Sequence, residues 1–201
     1  MKPGYLVATA AAAVAFFASA PARADVSSWL AVGAGAAGQF AQGASSPDGA
    51  AAMTYSIGVG TSPRGSFVLG VLYRGTTMFG LGTDAGAAVR LATGAFARGD
   101  WGLAIDLGAA YRGWNGGTYG QAPAQGVVTL GTPWGFQLAV GAQAFALDGQ
   151  TPAEGGFAAI ELDLLRLTVM RQGPSERWLP NPNPAGGRDK TASGLASLFA
   201  W

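Results

Sequence analysis

From Trp29 onward the sequence repeats one unit: about ten residues with large apolar side chains at every second position, then a break rich in Gly, Pro, Asn or Asp. Met53-Thr-Tyr-Ser-Ile-Gly-Val-Gly60 is the clearest instance, with Met53, Tyr55, Ile57 and Val59 in one phase and Thr54, Ser56, Gly58 and Gly60 in the other. A two-residue period belongs to an extended strand, whose successive side chains point to opposite faces. Many such segments, each bounded by turn residues, constrain the chain to an all-β fold built of antiparallel hairpins.

The pattern predicts ten strands. The first spans about 29–40, with Leu30, Val32, Ala34, Ala36 and Phe40 on one face and Trp29 out of phase with them. After the second come Phe67 to Tyr73, Ala85 to Leu91 and Trp101 to Tyr111, with breaks at Ser62-Pro-Arg-Gly65, 79–83 and Arg98-Gly-Asp100. The loop 113–120 precedes a sixth strand over about 122–131, and Thr132-Pro-Trp-Gly135 turns into a seventh beginning at Phe136. An eighth carries Ala158, Ile160 and Leu162; a tight reversal near Leu164-Leu165 would begin a ninth; and the tenth ends the chain. An eight-strand count is the alternative, since the 161–172 hairpin could be one longer strand. An even number suits an up-and-down barrel, and the longest breaks, 113–120 and 172–188, follow odd-numbered strands.

Before the first strand, Lys2, an apolar run from Tyr5 to Phe17 and Ala22-Arg-Ala24 form the pattern of a secretory signal peptide over 1–24. Cleavage there removes Lys2 and Arg23 from the 12 basic residues, leaving ten against 11 acidic ones, which gives no reason to expect a nucleic-acid partner. After Asp25 no stretch approaches the roughly 20 apolar residues of a membrane helix. A chain of this kind can therefore enter a bilayer only as a closed barrel, which satisfies every backbone group internally.

The final residues Leu195-Ala-Ser-Leu-Phe-Ala-Trp201 alternate again and place Phe199 and Trp201 in one phase. Here the chain resembles the outer-membrane β-barrel proteins of Gram-negative bacteria, many of which finish on a strand with a C-terminal aromatic and another aromatic or apolar residue two places earlier. Ala196 departs from that signal, standing where Gly is common. The resemblance implies a monomeric barrel over 25–201 in the bacterial outer membrane, in contact with lipid and engaging the barrel-assembly machinery through its C-terminal strand. It also implies that this strand pairs with the first to close the barrel. The aromatics fit two girdles: Trp29, Phe67, Trp101, Trp134, Phe136, Phe199 and Trp201 at the periplasmic strand ends, and Tyr73, Phe79, Tyr111, Trp114 and Tyr119 at the other.

Eight charged residues fall on the face opposite the apolar one: Arg74, Asp84, Arg90, Asp106, Arg112, Glu161, Asp163 and Arg166. Charge facing the bilayer midplane would cost a few kcal/mol per residue, so these groups belong inside, where they can pair. A salt-bridged interior is favoured over a water-filled selective channel because small barrels are narrow. Asp106 and Glu161 could in principle do acid–base work, but read better as partners of Arg74 and Arg112.

The chain has no Cys and no His, which removes disulfides, thiolate metal sites, the commonest general base and the histidine used by several families of barrel enzymes. No catalytic residue, cofactor site or metal site is predicted. Gly33-Ala-Gly-Ala-Ala-Gly38 matches a dinucleotide-binding pattern, but no helix signal follows and no acid closes the next strand. Arg98-Gly-Asp100 reads as a charged turn. The expectation is a structural barrel, or one that interacts through its outer loops, above all 172–188 with Trp178; the alternatives are a narrow channel and a soluble ligand-carrying barrel.

Overall fold

The computed structural model describes residues 26–40, 46–113, 121–146 and 154–167, with only the backbone of Phe145, Ala146, Arg166 and Leu167. The strands are β1 (Ser27–Phe40), β2 (Asp48–Gly60), β3 (Phe67–Met78), β4 (Gly82–Thr93), β5 (Gly102–Gly113), β6 (Pro123–Gly131), β7 (Phe136–Ala146) and β8 (Glu154–Asp163). They form a closed antiparallel barrel in sequence order.

Closure comes from β8 lying against β1, with Phe40 opposite Glu154 and Ala31 opposite Asp163. The barrel therefore has eight strands, and the ten-strand count is corrected. Between Ala31 and Phe40, β1 is paired on both sides, by β2 and by β8. That seam leaves no edge for the terminal segment 195–201 predicted there, and the segment itself lies outside the described residues. The reversal predicted near Leu164-Leu165 is instead a helical turn, Leu164–Leu167, whose Leu165 amide donates to Asp163 Oδ1 at 3.1 Å. Leu-Leu-Arg-Leu carries good helix formers and none of the residues a two-residue hairpin requires.

Call the end where β1 begins and β8 finishes proximal. The connections 61–66, 94–101 and 132–135 lie there, while β1 ends and β2 begins, β3 is joined to β4 through 79–81, β5 ends and β6 begins, and β7 ends and β8 begins at the distal end. Length does not separate the two sets cleanly. The distal 79–81 connection is short, and the proximal 94–101 connection holds helix α1 (Gly94–Arg98) in place of a simple turn. Thr93 Oγ1 caps α1 by accepting from the Phe96 amide at 3.2 Å, and Gly99 ends it at φ 79°, a left-handed conformation that suits glycine.

The predicted phases hold along most of the strands: most large apolar residues face out, while Arg74, Asp84, Arg90, Asp106, Arg112, Glu161 and Asp163 face in. Inside, an apolar cluster of Trp29, Val68, Ala92, Phe96, Ala97 and Ala104 fills the proximal end. A second, including Ala37, Ala52, Met78 and Phe157, lies toward the distal end. Trp29 is buried at 4% exposure, so its assignment to the membrane-interface girdle is corrected. Its indole lies over Gly60 and Gly70, where an added Cβ would meet the ring at about 2.5 and 2.6 Å. These two glycines make the room that lets a tryptophan turn inward.

Candidate functional site

Between the two apolar clusters the lumen carries charge. Arg90 and Asp106 are direct cross-strand partners on β4 and β5 and meet through two hydrogen bonds, Nε–Oδ1 at 2.6 Å and Nη2–Oδ2 at 2.8 Å. Asp106 also accepts from Arg74 Nη2 at 3.3 Å, and Arg74 Nη1 donates to Glu161 Oε1 at 2.7 Å. The chain Glu161–Arg74–Asp106–Arg90 thus crosses from β8 through β3 and β5 to β4 with alternating sign. All four side chains are nearly fully buried.

A second network lies farther along β4 and β5. Asp84 and Arg112 are again direct partners, joined Nε–Oδ1 at 2.7 Å and Nη2–Oδ2 at 2.8 Å. Gln143 on β7 bridges the pair, accepting from Arg112 Nη2 and donating to Asp84 Oδ2. With the Gln39 amide oriented by its neighbours, its oxygen accepts from Arg112 Nη2 at 3.1 Å, which brings in β1. The two networks balance three guanidiniums against three carboxylates. A buried charge is tolerable only in such company, because an unpaired ion in low dielectric costs several kcal/mol.

The proximal end is stopped by rings. The Arg90 guanidinium carbon lies 5.0 Å from the Trp29 ring centroid and 5.4 Å from that of Phe96, within cation–π range of both. Phe96 comes from α1, whose Gly94, Phe96 and Ala97 are buried. Sequence reasoning missed this plug. Its signals were the phase of Trp29 and a five-residue segment between Thr93, a good N-cap, and Gly99, a good terminator. It also missed Gln39 and Gln143.

Not every interior group is paired. Thr54 Oγ1, Thr76 Oγ1, Thr129 Oγ1, Gln125 Nε2, Arg74 Nε, Glu161 Oε2 and Trp29 Nε1 have no hydrogen-bond partner among the described residues. The small cavity beside Arg74, Gly86, Gly108 and Gln125 has a volume of ≈ 10 Å³. That is room for about one water.

The predicted interior charges thus sort as follows. Arg74, Asp84, Arg90, Asp106, Arg112 and Glu161 join the two networks, and Arg112 takes Asp84 as its carboxylate where Asp106 or Glu161 was expected. Asp163 points inward and is buried, while the Arg166 side chain lies outside the described residues.

The outer face is the converse. From Met53 and Ile57 through Leu69, Val89 and Leu107 to Val140 and Ile160, the mid-strand side chains are apolar and exposed. Phe67, Trp101, Trp134 and Phe136 are exposed at its proximal edge, with Trp101 and Trp134 edge to face at 5.8 Å. Phe40, Tyr73, Phe79 and Tyr111 are exposed toward the distal edge. The girdle members Phe199 and Trp201 lie outside the described residues, as do Trp114 and Tyr119. The steps from Trp101 to Tyr111 advance about 33 Å along β5 at a rise of ~3.3 Å each, or about 25 Å along the axis for a strand tilt of roughly 40°.

The chain matches no protein family, no curated relative and no solved structure. Its function is therefore argued from this geometry.

Proposed function

We propose that this protein is a small integral outer-membrane β-barrel with a closed lumen, a structural or surface-interaction protein whose partners meet its distal loops. The observation that carries the reading is the inversion of polarity. The wall is apolar for the depth of a bilayer core between two aromatic rows, while Arg74, Arg90, Arg112, Asp84, Asp106 and Glu161 lie inside, paired with one another. An apolar surface of that extent would drive a protein in water to aggregate, which weighs against the soluble carrier. A lumen filled by guanidinium–carboxylate pairs and stopped by Trp29 and Phe96 weighs against the channel.

The aromatic-ended terminal segment and the 1–24 export signal support the outer membrane as the location and the barrel-assembly machinery as a transient partner. The proposal assigns no catalytic step and no cofactor. Its test is reconstitution of the mature chain into liposomes, followed by flotation and by single-channel recording. The expected result is co-flotation with lipid, a heat-dependent shift in gel mobility, and no ion conductance. Recovery in the soluble fraction without detergent would favour the carrier, and steady unitary currents would favour the channel.

A further inference from the structure

Arg74 joins Glu161 to Asp106 through its two terminal nitrogens, yet its Nε has no partner among the described residues. The side chain is only 3% exposed, so bulk water does not reach that donor. A buried N–H left unpaired carries its full desolvation cost, and native interiors rarely leave one so.

The cavity of ≈ 10 Å³ is where this donor can be met. Arg74, Asp106 and Gln125 line it together with Gly86, Gly108 and Val127. Gln125 brings from β6 a second unpaired donor, Nε2. The backbone keeps the space open: an added Cβ at Gly86 would run into the Ala109 carbonyl, and one at Gly108 into the Ala87 carbonyl. No side chain can fill the cavity from either position.

The lining selects the occupant. It must accept from two N–H groups, and it must fit a volume that suits one water. An anion accepts as well, but the Asp106 carboxylate faces the same space. The chain Glu161–Arg74–Asp106–Arg90 is already neutral, so an added anion would be a buried charge without a counterion. A neutral molecule that accepts twice and can donate to a carboxylate meets every condition. We propose that one internal water binds here, accepting from Arg74 Nε and Gln125 Nε2 and donating to Asp106. It gives every nitrogen of the Arg74 guanidinium a partner. Gln125 is also the cross-strand neighbour of Gln143, which bridges Asp84 and Arg112, so the water sits between the two ion-pair networks. The inference rests on the barrel interior and not on the membrane reading.

The test is nuclear magnetic resonance of the isotope-labelled mature chain in detergent micelles, with the Arg74 Hε signal assigned by its disappearance in Arg74→Lys. A rotating-frame experiment that starts from water should give a direct cross-peak to Arg74 Hε and to the Gln125 amide protons. Its sign separates a bound water from chemical exchange. Gln125→Met removes one donor and fills the space, and should abolish the cross-peak at Arg74. The Arg90 Hε signal shows in the same spectrum whether the ion-pair network is still formed, and Gln125→Leu repeats the test where the methionine variant does not fold. Replacing chloride with sulfate should leave both cross-peaks in place. Absence of a water cross-peak at Arg74 in the native chain, or its survival in a folded Gln125→Met variant, would overturn the site. An Arg74 Hε shift that titrates with chloride would overturn it in favour of an anion.

Discussion

Arg90 grips Asp106 with two hydrogen bonds, at 2.6 and 2.8 Å, while the faces of Trp29 and Phe96 close over the same guanidinium. One cation thereby links the ion-pair network of the lumen to its apolar stop. Asp106 serves Arg74 as well, so two buried cations depend on this carboxylate.

Removing Asp106 should be severe. Asp106→Leu leaves Arg90 without its carboxylate and Arg74 with Glu161 alone, and should cost about 3–5 kcal/mol in unfolding free energy. Adding Arg90→Met should return a large part of that loss, since an apolar pair replaces an unpaired ion. Urea titration of the lipid-reconstituted barrel followed by fluorescence measures both.

The two tryptophans at the proximal end should behave differently. Trp29→Ala empties the space over Gly60 and Gly70 and removes a ring from Arg90, for a loss of about 3–5 kcal/mol. Trp101→Ala removes an exposed ring on the outer face and should cost far less. A matched pair of melting curves decides whether Trp29 is a plug or a girdle residue.

A charge on the wall should be costly only in lipid. Leu107 is 65% exposed in the middle of β5, so Leu107→Arg should destabilise the reconstituted barrel by about 2–4 kcal/mol. The same change on a surface facing water would be nearly neutral. The difference is read by comparing unfolding free energies of the two proteins in bilayers.

Barrel closure can be locked chemically. Ala36 and Ala158 are cross-strand partners at the β1–β8 seam, and the chain has no native cysteine. Ala36→Cys with Ala158→Cys should oxidise to a disulfide that shifts gel mobility, whereas Ala36→Cys with Leu195→Cys should not. Cross-linking of the second pair would restore the terminal strand to the seam.

The alternation of side chains made the strands and their faces legible, because a wall that is apolar outside and polar or small inside leaves a two-residue signature in each segment. Two ion pairs were also within reach: Arg90–Asp106 and Asp84–Arg112 follow from the register of a single hairpin, β4–β5. Arg74–Glu161 was not, since those residues lie 87 positions apart and meet only after closure. For Trp29 two local rules conflicted, its phase pointing inward and its chemistry toward the interface. Gly60 and Gly70, on other strands, decide the matter. The strand count failed at Leu164-Leu165, where alternation continued past the point at which the backbone turned helical.

The most direct measurement is a nitroxide scan of β5 in bilayers, one cysteine at a time from Gly102 to Arg112, with oxygen and a water-soluble nickel chelate as relaxation agents. Positions Leu103, Ile105, Leu107 and Ala109 should be open to oxygen and closed to nickel, with the oxygen maximum near the middle of the strand. Ala104, Gly108 and Ala110 should be closed to both, as expected for a filled lumen. Nickel access at the first set would contradict a lipid-facing wall, and nickel access at the second would contradict a closed interior.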